Sequence, residues 1–225
     1  MQHTQPSSPY RTILVTGFEP FGGETINPSW EAARQLDGWV YQGAKVVARQ
    51  MPCVFGAAYD ALAAALREVA PQIVICVGQA SNRSDFSVER IAINIDDARI
   101  PDNAGRQPVD VPVVADGPAA YFSSLPIKAI VQAVRAAGIP ASMSQTAGTY
   151  VCNHLFYAAC HLRATRYDGL RKAGFIHVPL SPEQAAHHAG HASMSIDTVA
   201  RALRVTVETC LKRDADVTLA AGQVS

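Results

Sequence analysis

Short apolar runs closed by glycine or proline alternate along this chain with longer stretches of helical period. Ile13-Leu14-Val15 is continuous, apolar and ends at Gly17, which predicts a buried strand. Asn27-Pro28 reads as a helix start, with an N-cap residue followed by proline at the first helical position. Ala44 to Met51 alternates as a second strand. Ala57 to Val69 is alanine-rich with Leu62 and Leu66 four apart, a helix that Pro71 stops. Ile73 to Val77 is the clearest buried strand, and Ile91, Ile93 and Ile95 alternate as another. Asp96 to Gly117 is rich in Asp, Pro and Gly and predicts a long loop, a kind of segment that is often functional when ordered. A helix over Pro126 to Ala137, a strand over Ala141 to Gln145, a helix over Cys152 to Arg163 and a strand over Phe175 to Leu180 follow. Ser195 to Arg213 closes the series as an amphipathic helix capped by Ser195. Strands and helices alternate, so the expected class is α/β, a largely parallel mixed sheet with helices on both faces. The 225 residues suit one such domain over 10–225, after a polar tail at 1–9 expected to be disordered.

Composition adds exclusions. With 48% apolar residues a sizeable core can be buried. Acidic and basic residues balance at 19 each, so no general attraction to nucleic acid or anionic membrane is expected. No apolar run is long enough to span a membrane, and Met1 to Pro9 has no charged-then-apolar signal pattern. The five cysteines are odd in number and none form a CxxC pair, which argues against a disulfide framework or structural zinc. A cytoplasmic protein is the expectation.

Chemistry concentrates in a few places. Cys152 lies in Thr146-Ala-Gly-Thr-Tyr-Val-Cys152-Asn-His, between a strand and a helix start. Backbone N–H groups there favour negative charge, which predicts an acidified, nucleophilic thiol; a buried, inert cysteine is the other reading. Cys53, Cys76, Cys160 and Cys210 read as packing. His177 sits in an apolar strand, where it needs a polar partner, either a catalytic thiol and carboxylate or a backbone carbonyl. Glu89 could orient that imidazole or could pair with a neighbouring arginine, and Asp96, Asp97 and Asp102 compete for the orienting role. Thr16-Gly-Phe-Glu-Pro-Phe-Gly-Gly23 resembles a phosphate loop only superficially, lacking GxGxxG spacing and the P-loop lysine. Its two phenylalanines are unusual for a loop, where aromatics find burial through a ligand or a subunit. His187, His188 and His191 suggest a metal site less well than a solvated, mobile loop, since no Cys, Asp or Glu stands close in sequence.

These stretches, in this order, resemble the pyroglutamyl-peptidase I family, also called pyrrolidone-carboxylate peptidases. The resemblance runs through Val15–Gly23, Ile26–Trp30, Val77-Gly-Gln79, Glu89–Asn94, Asp97–Asn103, Thr146–Thr149 with Val151–His154, and Gly174–His177, from roughly Arg11 to Lys212. It implies a three-layer α/β/α sandwich, a cysteine exopeptidase that removes N-terminal pyroglutamate from peptides, a triad of Glu89, Cys152 and His177, a homotetramer, and no required metal or cofactor. It implies a lactam pocket around Phe18, Phe21, Asn27, Gln79, Ile100, Tyr150 and Val151. Departures are Ser81-Asn82 where relatives have two glycines, Gln145 for asparagine, and Tyr150 for phenylalanine. The chemistry agrees, because a flat neutral ring suits an aromatic-lined pocket with a few hydrogen-bonding groups. Competing readings are a cysteine amidase or acyltransferase on another small amide, a non-catalytic binding protein, and, by fold class alone, a nucleoside phosphorylase-like enzyme.

Overall fold

A computed structural model describes residues 12–221, so the tail expected at 1–9 lies outside the described residues. Nine strands and six α-helices are described: β1 (Thr12–Phe18), α1 (Pro28–Ala33), β2 (Val40–Tyr41), β3 (Ala44–Met51), α2 (Ala57–Val69), β4 (Ile73–Gln79), β5 (Phe86–Glu89), β6 (Ile91–Ile93), β7 (Ala120–Phe122), α3 (Ile127–Ala136), β8 (Ala141–Ser144), α4 (Val151–Thr165), β9 (Lys172–Val178), α5 (Pro182–Ala185) and α6 (Ile196–Lys212).

Seven strands form one sheet in the order β2-β3-β1-β4-β9-β5-β8. β3, β1, β4 and β9 are parallel; β5 runs antiparallel to β9 and parallel to β8, and β2 antiparallel to β3. The period of two along each strand sorts side chains between two cores. Ile13, Val15, Ile73, Ile75, Val77, Ile176 and Val178 pack with α1, α3 and α6. Leu14, Val74, Cys76, Ala173 and Phe175 pack with α2 and α4 on the other face. The result is an α/β/α sandwich, the expected class.

Several boundaries match the pattern directly. Asn27 caps α1 by accepting from Ser29 N, with Pro28 at the first helical position, and Ser195 caps α6 by accepting from Thr198 N. Other boundaries differ for physical reasons. β9 stops at Val178 rather than Leu180, since Pro179 has no N–H for the ladder. The run from Val88 to Asn94 is not one strand. It breaks at Arg90, whose N–H donates to Ser144 O on one side while its carbonyl accepts from Ser123 N on the other. β5 therefore belongs to the main sheet, and β6 pairs with β7 in a separate two-stranded sheet. β2, β7 and α5 were not expected; pieces of 2 to 4 residues carry no readable period.

The long loop after β6 is ordered by specific bonds. Asp96 and Val111 exchange both backbone hydrogen bonds. The Asp102 carboxylate accepts from the N–H groups of Phe55, Ala104 and Arg106, and Asn103 Nδ2 donates to Glu19 Oε1. The loop is thereby fastened to the segments after β1 and β3. Among the described residues no helix is long and apolar enough to cross a membrane.

Candidate active site

Alternation along β4 and β9 places Gly78 and His177 on the α4 face, directly opposite each other in the parallel register. On β5, Phe86 and Val88 join the opposite core, so Ser87 and Glu89 face the same side as His177. Ser87 pairs with His177 across the antiparallel junction, and Glu89 reaches the ring from two residues further on. α4 starts at Val151, so Cys152 enters in its first turn, over Gly78. A Cβ on Gly78 would lie 2.8 Å from Cys152 Sγ and 2.7 Å from Phe175 Cζ. The absent side chain at 78 is the space in which the thiol sits.

His177 Nδ1 lies 2.8 Å from Glu89 Oε1. An acidic oxygen accepts there, so Nδ1 carries the proton and Nε2 is left as the basic nitrogen. Glu89 is fully buried and His177 3% exposed. The same Glu89 oxygen accepts from Arg83 Nη2 at 3.0 Å, and that nitrogen also donates to Ser144 Oγ and Thr146 O, each at 2.8 Å. Both readings of Glu89 thus hold together: it meets the imidazole and an arginine. Arg83 balances its buried charge and ties it to the segment leading to Cys152. No sequence signal set Arg83 apart, because a lone arginine in a polar loop looks solvated.

The segment ahead of α4 turns at Gly148, whose φ of +76° is in the left-handed region that glycine tolerates. Tyr150 occupies the N-cap position but makes no side-chain cap bond. The first N–H groups of α4 consequently have no helical acceptor and no cap, which leaves them available to an anion at Cys152.

A cavity of about 310 Å³ opens here, lined by Cys152 and His177 together with Phe18, Phe21, Asn27, Gln79 and Tyr150. Arg83, Cys53, Asn82 and Gly148 line it as well. Two of the pocket residues expected from sequence are elsewhere. Ile100 is 48% exposed on the long loop, and Val151 is fully buried in the α2/α4 core, since its neighbour Cys152 takes the cavity-facing position of the helix turn. Cys53, expected only to pack, is buried yet lines the cavity. Gln79 Oε1 accepts from Gln184 Nε2 at 3.2 Å, which leaves the Gln79 amide N–H groups for a ligand carbonyl. Asn27 is committed to structure, with Oδ1 accepting from Ser29 and Nδ2 donating to Glu19 O.

The aromatics divide. Phe18 is not a loop residue; it ends β1, is 2% exposed and lies 6.4 Å from Phe175 between ring centroids. Phe21 is half-buried, 6.4 Å from Tyr150. Phe18→Ala is therefore expected to cost about 3–5 kcal/mol of stability as a core truncation. Phe21→Ala should chiefly weaken binding, by roughly 1–3 kcal/mol of ring contact. Thermal midpoints measured beside kcat/KM separate the two, and equal midpoint losses would refute the division.

Burial pushes the Cys152 thiol well above its ordinary value, with Cys53, Glu89 and Cys76 adding to the effect. Desolvation thus works against the acidification expected from the helix start. His177 shares the wall of the cavity with this thiol. Burial likewise raises Cys53, Cys76, Cys160 and Cys210 to about 12. All four are buried, whereas Cys152 is only partly so.

The competing carboxylates are used differently. Asp96 Oδ2 lies 2.8 Å from Nδ1 of His154, whose Nε2 accepts from Gly56 N, so this buried pair joins α4 to the start of α2. Asp102 organises its own loop, and Asp97 is exposed, with its backbone rather than its carboxylate holding Thr149. The histidine cluster is exposed as expected but not free. His188 meets Glu24 at 2.9 Å, a carboxylate 164 positions away that sequence spacing could not reveal, and His191 Nδ1 donates to Ser81 O. No group of three or more potential metal ligands occurs among the described residues.

The chain is similar to known proteins along most of its length. The family model described as pyroglutamyl peptidase matches residues 11–213. The chain is 59% identical to the pyrrolidone-carboxylate peptidase of Cupriavidus pinatubonensis, across 95% of this chain and 99% of the relative. It is 58% identical to that of Escherichia fergusonii, across 94% and 98%. The crystal structure of pyroglutamyl peptidase I from Bacillus amyloliquefaciens superposes with a TM-score of 0.90 at 44% identity, covering 93% of this chain and 99% of that one.

Proposed function

The chain belongs to the pyroglutamyl peptidase family and is a cysteine peptidase that removes N-terminal pyroglutamate from peptides, and on that premise we propose that Cys152, His177 and Glu89 carry the reaction. The observation that supports this reading best is the 2.8 Å bond between Glu89 Oε1 and His177 Nδ1. It fixes the tautomer whose basic nitrogen is free, in a wall of the cavity that also holds Cys152. The flat lactam ring enters between Phe21 and Tyr150, and the Gln79 amide N–H meets its carbonyl. As His177 Nε2 takes the thiol proton, Sγ attacks the pyroglutamyl carbonyl carbon. The uncapped N–H groups of α4 receive the oxyanion. Nε2 then gives the proton to the departing amine, the C–N bond breaks, and a thioester remains. Water, deprotonated by the same nitrogen, attacks the thioester and frees pyroglutamate and the thiol. Glu89 stabilises the imidazolium in both halves, and Arg83 holds Glu89 in place.

Hydrolysis of a fluorogenic pyroglutamyl amide, with and without iodoacetamide, tests the assignment. Alkylation should inactivate, substrate should protect, and the label should sit on Cys152. Because the thiol is raised and the thiolate is the reactive form, the alkylation rate of free enzyme should climb about tenfold per pH unit. It should show no plateau below the ordinary thiol value of about 8.5. A plateau already near pH 6 would mean a resting thiolate–imidazolium pair instead.

We further read residues 10–225 as a single peptidase domain of a cytoplasmic homotetramer. The family resemblance supports the assembly, which light scattering would measure. The five unpaired thiols suit a reducing compartment.

A further inference from the structure

The cavity at Cys152 does not end at its own rim. A second hollow of about 560 Å³ adjoins it, with Phe21, Gln79, Asn82, Gly148 and Tyr150 as a common wall. Glu24, Arg99, His188 and His191 line the second hollow only. The histidine-bearing loop is fastened over it from two sides, by His188 to Glu24 at 2.9 Å and by His191 to Ser81 O at 2.8 Å. The hydrogen bond from His188 holds the Glu24 carboxyl below its ordinary value, so this acid is ionised and already engaged. Arg99 is exposed and has no carboxylate partner among the described residues. Among the described residues the hollow therefore offers a cation without a carboxylate partner beside an anion that is already paired.

Substrate chemistry assigns a use to this asymmetry. A substrate blocked by pyroglutamate has nothing beyond the lactam on its acyl side. Everything else it carries lies on the amine side of the scissile bond, and so does every carboxylate, because the lactam is neutral. We propose that the second hollow holds the residues that follow pyroglutamate and that Arg99 receives a carboxylate of this leaving peptide, an assignment that rests on the peptidase reading of the Cys152 cavity. The carboxylate is either the C-terminus of a short peptide or an acidic side chain, and separate substrates distinguish the two.

The test compares kcat/KM at low ionic strength for pyroglutamyl-alanine, pyroglutamyl-alanine amide and pyroglutamyl-glutamate amide. At least one carboxylate-bearing substrate should exceed the neutral amide by roughly two- to fivefold, the range of solvent-exposed ion pairs. The excess should shrink in about 0.5 M salt, where charges are screened over a few ångströms. Arg99→Gln should bring the ratio to about one, and Arg99→Lys should keep most of it. If Arg99→Gln turns over too slowly to measure, calorimetric binding of the same peptides to Cys152→Ala and to Cys152→Ala/Arg99→Gln gives the ratio directly. Cleavage of all three substrates with equal efficiency, or an excess that survives Arg99→Gln, rejects the subsite and leaves the peptidase reading standing. Failure to cleave any of the three rejects both.

Discussion

Replacing Cys152 by alanine is expected to lower pyroglutamyl amide hydrolysis by about 10⁴–10⁶-fold while the protein stays folded. The size follows from the role, since removing the nucleophile of a triad removes the covalent route and leaves only binding and oxyanion stabilisation. The folding half follows from the site. Sγ occupies a gap that exists because residue 78 has no side chain, and it lines the cavity at the edge of the packed core. Truncating a group at a cavity edge forfeits few contacts, so the thermal midpoint should move by no more than a few degrees. Turnover near that of the wild type in a purified variant would remove Cys152 from the mechanism.

The second large effect concerns the carboxylate behind the histidine. Glu89→Gln keeps the shape of the side chain but removes the charge that selects the tautomer and stabilises imidazolium. A loss on the order of 10²–10⁴ in kcat is expected, with KM changed far less. Asp96→Asn and Asp102→Asn should behave differently. Their carboxylates engage His154 and the backbone N–H groups of Phe55, Ala104 and Arg106 rather than His177. Each should lower stability by about 1–3 kcal/mol through weakened buried bonds, with kcat per folded molecule nearly retained. Asp97→Asn, exposed, should do neither. An aspartate variant with normal stability and crippled kcat, beside a normal Glu89→Gln, would mean that His177 has another partner.

The contrast among these carboxylates marks where sequence reading reaches its limit. Ala44–Met51 and Ala57–Val69 were legible to the residue, because each repeats its period several times and glycine or proline closes it. Asn27 and Ser195 were legible as caps because capping is local chemistry. What failed was partnership across the fold. A run of alternating isoleucines does not say that the chain changes sheets at Arg90. A polar loop does not say that Arg83 will sit on a buried glutamate, nor does an HHxxH cluster reveal a glutamate 164 positions away. The thiol of Cys152 shows the same limit. A helix start is visible in sequence, whereas the apolar surroundings that desolvate the sulfur are assembled from β4, β9 and the loops.

One consequence of the strand order concerns synthesis of the chain. β9 lies between β4 and β5 although it follows both by more than 80 residues. Until Val178 has emerged from the ribosome, the sheet exists only as two half-sheets with open edges facing one another. One of those edges is the apolar run Ile73–Gln79, and unpaired apolar edges are what nascent chains lose to aggregation. Insertion of a central strand is also a slow event, since it closes long stretches of intervening chain at once. His177 arrives on that same strand. A growing chain thus carries Cys152 for some time without His177, so on the proposed triad completion of the sheet and onset of peptidase activity would be a single event.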